Sequence, residues 1–133
     1  MILVIDASVL VAALVDGGAD GDWAAAAIAD HELAAPHHMP IEAANILRRA
    51  ALAGDITADA ASLAHGDLLD LRVELWSYEP LAARCWELRE NVTVYDGTYV
   101  ALAELLDADL ATLDQRLADA PGPRCGFMTP GSP

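Results

Sequence analysis

Ile2-Leu3-Val4-Ile5 is apolar at all four positions and rich in β-branched side chains. A strand with one wet face alternates polar and apolar residues. An unbroken apolar run instead argues for a strand covered on both faces, which is the setting of a parallel sheet. The run extends to Asp6, and a helix follows at once around Val9 to Leu14. A carboxylate therefore stands where a strand hands over to a helix, between two segments that are otherwise core.

The same alternation continues along the chain. "GGADGD" reads as a loop, with Asp22 able to cap a helix from Trp23 to about Ala29. "HELAAP" holds a second strand that stops at Pro36. Pro40 suits the first turn of a helix that runs to about Ala53 and ends at Gly54, with Ala43, Ile46, Leu47 and Ala50 as its apolar stripe. Thr57 can cap the next helix, whose stripe is Ala60, Leu63, Ala64, Leu68 and Leu71. "VELWSY" is a third strand candidate, and Pro80 opens a helix with Leu81, Cys85 and Leu88 on one side. After the short link "NVTV" comes a helix with Tyr95, Tyr99, Leu102 and Leu106 on one face. "DLATL" is a fourth strand, Gln115 to Ala118 a brief helix, and "CGFM" an edge strand. Short apolar strands alternating with helices predict an α/β fold: a parallel twisted sheet of 4-5 short strands flanked by helices on both faces. The length of 133 residues fits one domain, expected over 1–128, with 129–133 as a frayed tail.

In a parallel α/β sheet, ligands gather outside the carboxyl ends of the strands. Asp6 ends the first strand and Asp114 follows the fourth. Asp96 lies at the start of a helix, and Glu42 in the first turn of the helix opened by Pro40. Each has an ordinary explanation, since Asp at such a junction caps a helix and Glu in a first turn suits the helix dipole. Asp22 and Asp59 fit that ordinary role. Asp67, Asp70, Asp107, Asp109 and Asp119 read as solvated faces. What sets the four apart is that a doubly wound sheet brings all of them to one rim, where ionised carboxylates repel each other unless a cation neutralises them. The donors are oxygens, with no convincing His or Cys set, and such donors select Mg²⁺ or Mn²⁺. A site of that kind suits phosphodiester hydrolysis. Ser8 and Thr112 stand two residues from Asp6 and Asp114; each is either a helix cap or a donor that orients a carboxylate. Glu42, Asn45 and Arg49 form a polar stripe on an apolar helix, readable as solvent-facing or as functional.

Charge sharpens the question. There are 21 acidic and 7 basic residues, a formal net charge of -14, and every basic residue is Arg. The overall field repels nucleic acid, so any such substrate needs local help, or a basic partner or a bound cation is favoured. Arg48, Arg49, Arg84 and Arg89 are candidates for phosphate contact, and pairing with Glu87 and Glu90 is the structural alternative. Trp23, Trp76 and Trp86 are read as core or dimer contacts rather than base-stacking platforms. Cys85 and Cys125 have no CxxC spacing and make neither a disulfide framework nor a zinc motif. The first apolar run has no positively charged lead and is broken by Asp6, and no run reaches the roughly 18 residues of a membrane span. The expectation is a cytoplasmic protein with no membrane partner.

Four pieces, "VIDASVLVAAL", "PIEAANILRRA", "LRENVTVYDGTYVALAELL" and "LATLDQRL", occur in the order of the PIN-domain family and span nearly the whole chain. The sequence resembles that family, and within it the VapC-type toxins of bacterial toxin–antitoxin pairs. The resemblance implies an RNA-cleaving enzyme using Mg²⁺ or Mn²⁺, a homodimer, and silencing by a cognate antitoxin that inserts into the groove. The family's acidic quartet falls on Asp6, Glu42, Asp96 and Asp114, and its hydroxyl position on Thr112, while Asn91 and Ser8 occupy family-like positions. Two alternatives remain on the sequence alone: a catalytically silent PIN scaffold used for binding, and a PIN-type nuclease acting on DNA. Receiver domains and haloacid-dehalogenase-like phosphatases also gather Asp at strand ends, but they place a Lys beside the phosphoryl group and this chain has none.

Overall fold

The computed structural model describes residues 1–131. Five strands form one sheet: β1 (Ile2–Ile5), β2 (Glu32–Pro36), β3 (Val73–Trp76), β4 (Asp109–Ala111) and β5 (Phe127–Met128). Their order is β3-β2-β1-β4-β5, and every pairing is parallel. The helices are α1 (Ala7–Val15), α2 (Ala19–Ala29), α3 (Met39–Leu52), α4 (Ala58–Asp70), α5 (Ala82–Glu87), α6 (Val94–Leu105) and α7 (Gln115–Asp119), with one 3-10 turn at Glu79–Leu81 before α5. The α/β class and the parallel sheet expected from the apolar runs are both present.

Successive residues of a strand face opposite sides of a sheet. Leu3, Val4 and Ile5 are all buried, so the middle of the sheet is covered on both faces. That is why β1 does not alternate. On one side of β1 the chain builds β2 and then β3; it then crosses back to lay β4 along β1's other edge. The reversal of strand order lies between β1 and β4, and there the carboxyl ends of two neighbouring strands open a crevice. The helix α6 packs against β1, β2 and β4, and α1 to α4 pack on one another.

Three details differ from the sequence expectation. Helix α2 begins at Ala19, with Gly18 as its N-cap, so Asp22 lies inside the first turn instead of capping it. The Asp16 carboxylate accepts the Gly18 N–H at 2.7 Å, closing the turn early enough for Ala19 to start the helix. Leu63, placed on the buried stripe of α4, is 72% exposed. The buried stripe there reduces to Ala64 and Leu68 because α4 is an outer helix with a narrow contact. Tyr95 is exposed where Tyr99 is buried, because it stands in the first turn of α6, a turn before the stretch Gly97–Ala103 that sinks into the core. Of the expected tail, residues 132 and 133 lie outside the described residues.

Two glycines test the packing in opposite directions. A Cβ on Gly21 would stand 1.7 Å from the Asp16 carbonyl oxygen and 3.0 Å from that of Ala12, backbone atoms with little freedom to retreat. Gly66, inside α4, has nothing near its missing Cβ. Gly21→Ala should therefore destabilise the chain by about 1–3 kcal/mol. Gly66→Ala should stabilise it by about 0.5–1 kcal/mol. Urea denaturation of the two variants reads both signs; a neutral Gly21→Ala would refute the tight α1–α2 contact.

Candidate active site

Asp6 follows the last residue of β1 and is the N-cap of α1. Its Oδ1 accepts the Val9 N–H at 3.1 Å and the Ser8 hydroxyl at 2.6 Å. Its Oδ2 accepts the Thr112 hydroxyl at 2.5 Å. Thr112 lies directly after β4 and is fully buried; its Oγ1 also accepts the Asp114 N–H at 3.0 Å. The Ser8 hydroxyl in turn accepts the Leu113 N–H at 3.4 Å. One small network thus joins the ends of β1 and β4 and includes both hydroxyls singled out in the sequence.

Asp114 caps α7, accepting the Arg116 N–H at 3.0 Å, and its side chain remains partly exposed. Asp96 stands in the first turn of α6, whose N-cap, Thr93, accepts the Asp96 N–H at 3.1 Å. Glu42 stands in the first turn of α3. Its Oε1 lies 2.7 Å from His38 Nε2 and accepts the Tyr99 hydroxyl at 3.2 Å.

The electrostatics show that the four carboxylates share one neighbourhood. Burial holds the Asp6 carboxyl above the usual aspartate range, against hydrogen bonds from Ser8, Thr112 and two backbone N–H groups that lower it. Burial likewise raises Asp96, and the charges of Asp114 and Asp6 raise it further, offset in part by Thr93 and Arg116. Glu42 is raised by burial and by the charges of Asp96 and Asp6, while the Tyr99 hydroxyl pulls it down. Each of these three acids is thus less willing to ionise than the same acid in water, and like charge is part of the cause for Glu42 and Asp96.

Beside Asp96 and Asp114 opens a cleft of about 300 Å³ that Asn91, Thr93 and Arg116 also line. Among the described residues, no group of three or more His, Cys, Asp or Glu side chains makes a set able to hold a metal ion by itself. The donors here are carboxylate and hydroxyl oxygens. They fit an ion such as Mg²⁺, which binds through one or two carboxylates and keeps waters for the rest of its shell. Unlike a zinc cage, such a site needs no closed set of side chains.

None of the four arginines named from the sequence lines this cleft. Arg84 is held by Glu104 at 2.7 Å, Glu87 at 3.1 Å and the Gly122 carbonyl at 2.8 Å, a structural clamp between α5, α6 and the loop after α7. Arg89 lies over the Trp86 ring and donates to the Trp86 carbonyl. Arg48 and Arg49 are exposed on α3. Trp23 and Trp76 pack against the core, whereas Trp86 is 60% exposed. The arginine beside the carboxylates is Arg116, which sequence reasoning did not single out; the signal available was its place two residues after Asp114, in the first turn that Asp114 caps. His38 and Tyr99 were also missed as neighbours of Glu42. The spacing of His38 and Glu42, one helical turn, was the signal for the first. Tyr99 reads as core because it is core, and only its hydroxyl reaches the site.

Comparison with known proteins places the chain in a family and a fold. The PIN domain family matches residues 3–123. Ribonuclease VapC1 of Mycobacterium tuberculosis is 40% identical over 123 residues, covering 92% of each chain. Among solved structures, PAE2754 from Pyrobaculum aerophilum superposes with a TM-score of 0.71 at 25% identity, covering 94% of this chain and 81% of that one. The complex VapBC2 from Rickettsia felis, bound to a DNA fragment from its promoter, contains a chain that shares the fold, with a TM-score of 0.67 at 13% identity. That match covers 97% of this chain and 98% of that one.

The raised carboxyls have a consequence for stability with a definite sign. An acid whose pKa is raised by folding stabilises the fold most when protonated. Its contribution is present below the ordinary value, 3.8 for Asp96, and is lost as the pH climbs through the raised one. In metal-free buffer at pH 7.5, Asp96→Asn should therefore melt a few degrees above the parent chain. The gap should narrow as the pH is lowered through the raised value and below 3.8, because the Asp96 carboxyl takes up its proton and comes to resemble the amide. Thermal melts in EDTA across this range check it; an Asp96→Asn chain that melts no higher at pH 7.5 would contradict the electrostatic account.

Proposed function

The chain belongs to the PIN-domain family, and from that premise we propose that it is a divalent-metal-dependent endoribonuclease toxin, held silent by a cognate antitoxin. The observation that carries this reading is the meeting of Asp6, Glu42, Asp96 and Asp114 at the sheet's switch point, where three of them are raised toward protonation. Similarity to Ribonuclease VapC1 over 92% of both chains supports RNA as the substrate.

In this reading Asp6, Asp96 and Asp114 hold Mg²⁺ or Mn²⁺, directly or through its waters. When bound, the ion lowers the pKa of a water and neutralises charge on the phosphate. Asp6 is fixed for that task by Ser8 and the Val9 N–H on Oδ1 and by Thr112 on Oδ2, which leaves the second lone pair of Oδ2 free. Glu42 orients the attacking water or takes its proton. A carboxylate raised above its ordinary range is the better base, because its pKa lies closer to the working pH. Asn91 and Arg116 line the cleft beside Asp96 and Asp114 and are placed to meet the substrate's polar backbone. Arg116 joins Arg48, Arg49 and Arg89 as a candidate for phosphate contact, while Arg84 is already engaged.

The net charge of -14 and the carboxylate rim suit an antitoxin with a basic segment that occupies the same cleft. Homodimer formation and a cytoplasmic setting belong to the same reading. Among the described residues no helix is long and apolar enough to cross a membrane.

The test is cleavage of total cellular RNA by purified chain free of antitoxin, followed by mapping of new ends. Mg²⁺ or Mn²⁺ should support sharp cuts and EDTA should abolish them. Asp6→Asn should lower the rate by roughly 100-fold or more while the protein still melts cooperatively. A single-stranded DNA of the cleaved sequence should stay intact. Absence of any cut with either metal would end the proposal, and preferential cutting of the DNA would replace the substrate.

A further inference from the structure

We propose that His38 is a positioning residue that fixes the Glu42 carboxylate and ties it to the helix bearing Asp96. The inference rests on the nuclease reading for its kinetic consequence but not for its geometry.

His38 precedes α3, after the end of β2 at the carboxyl rim of the sheet. Its Nε2 lies 2.7 Å from Glu42 Oε1, one turn along the same helix. On an open helix surface such a pair is worth only a few tenths of a kcal/mol. Three observations separate this pair from that case. First, His38 is the N-cap residue of α3 and yet its side chain makes no capping bond, so its ring is directed elsewhere. Second, the ring meets two aromatic side chains of a different helix edge-on. Its centroid is 5.8 Å from that of Tyr95 and 5.5 Å from that of Tyr99, at interplanar angles of 74° and 77°. Third, Thr98 of that helix brings its hydroxyl to 3.4 Å from the same Nε2 while donating to the Tyr95 carbonyl at 2.6 Å.

The consequence falls on Glu42. A free glutamate has three rotatable bonds, and holding it in one arrangement costs about 1.5–2 kcal/mol of rotamer freedom. Here Oε1 receives two donors, the Tyr99 hydroxyl and, with the proton on Nε2, the His38 ring. Both anchors sit on one oxygen, so Oε2 remains for chemistry. The partners of His38 also belong to the turn that carries Asp96: Tyr95 immediately precedes it and Thr98 follows by two. The imidazole is therefore a brace between the first turns of α3 and α6, each of which supplies one acid to the site. Tyr99 is buried and shared with the core, whereas the His38 side chain is 28% exposed and outside the apolar core, so its removal is a local change.

The experiment compares His38→Leu, which keeps bulk but removes both ring nitrogens, with His38→Gln, whose amide can donate to Glu42 from a similar distance. With an RNA cut by the parent chain, His38→Leu should lower kcat about 10–100-fold with KM held within about twofold. His38→Gln should recover most of the loss. In a Glu42→Gln background His38→Leu should add nothing further, because the residue it positions is already gone. Mn²⁺ affinity by electron paramagnetic resonance should weaken in His38→Leu and recover in His38→Gln. In a crystal structure of His38→Leu, the Glu42 side chain should leave the Tyr99 hydroxyl or occupy more than one rotamer. An unmoved Glu42 overturns the inference, as does a rate loss that His38→Gln fails to recover or that persists undiminished in Glu42→Gln. If the parent chain cuts no RNA, the nuclease reading fails by itself, and the Glu42 rotamer still decides the role of His38.

Discussion

The Asp6–Thr112 hydrogen bond joins the two strands on which the rest of the site depends. β1 and β4 are neighbours although about a hundred residues separate them in the chain, and the sheet reverses its order between them. Ladder hydrogen bonds set their register, but the side-chain bond sets what the crevice contains. It takes the one carboxylate that the core would otherwise exclude and gives it a buried donor at 2.5 Å. A buried polar group without a partner costs about 1–3 kcal/mol. Thr112 and Ser8 offset part of that cost for Asp6, which lets a carboxylate stand at the end of a strand whose Leu3, Val4 and Ile5 are all buried.

The neutral donors that satisfy Asp6 do not neutralise it. Thr112 and Ser8 are hydroxyls, and the nearest arginine, Arg116, is almost wholly exposed and lies 3.8 Å from Asp114. An exposed pair at that separation is screened by water and contributes little. Contrast Arg84, whose guanidinium is gripped by two carboxylates and a carbonyl, none of them among the four acids. The chain has few cations and spends its best-engaged one on bracing α5 against α6. The rim is left electrically unfinished, and there like charge adds to burial in raising Glu42 and Asp96.

Much of this was legible in the sequence, because most of it rests on local rules. Ile2 to Ile5 announced a two-faced strand by failing to alternate, Thr57 capped α4 as its position implied, and Gly54 closed α3 in the left-handed region with φ +81. The four acids were identifiable because each sits at a junction that a strand or helix boundary already marks. The parts that were not legible are those decided between elements. Leu63 fits the period of α4, but nothing in α4 records how little of it the neighbouring helices cover. His38 was invisible as a brace because Tyr95, Tyr99 and Thr98 lie some sixty residues away in sequence and share no pattern with it. The early start of α2 turned on an Asp16 side chain bonding two residues ahead, a choice that Asp22 could equally have made.

Each acid was open to two readings, helix terminus or reactive group, and the geometry makes the two compatible. Asp6 caps α1, Asp96 and Glu42 occupy the first turns of α6 and α3, and Asp114 caps α7. In a parallel sheet the helices that follow strands begin at the carboxyl rim, so residues chosen by capping chemistry arrive at the same edge. The positive ends of α1, α3 and α6 then favour the anions they carry, by about 0.3–1 kcal/mol each where water reaches them. That is enough to let four carboxylates share a rim in a folded chain. It is too little to return Asp6, Glu42 and Asp96 to their ordinary pKa values. The helix ends offset part of the cost of the cluster, and burial together with the remaining repulsion keeps Glu42 and Asp96 above their ordinary range.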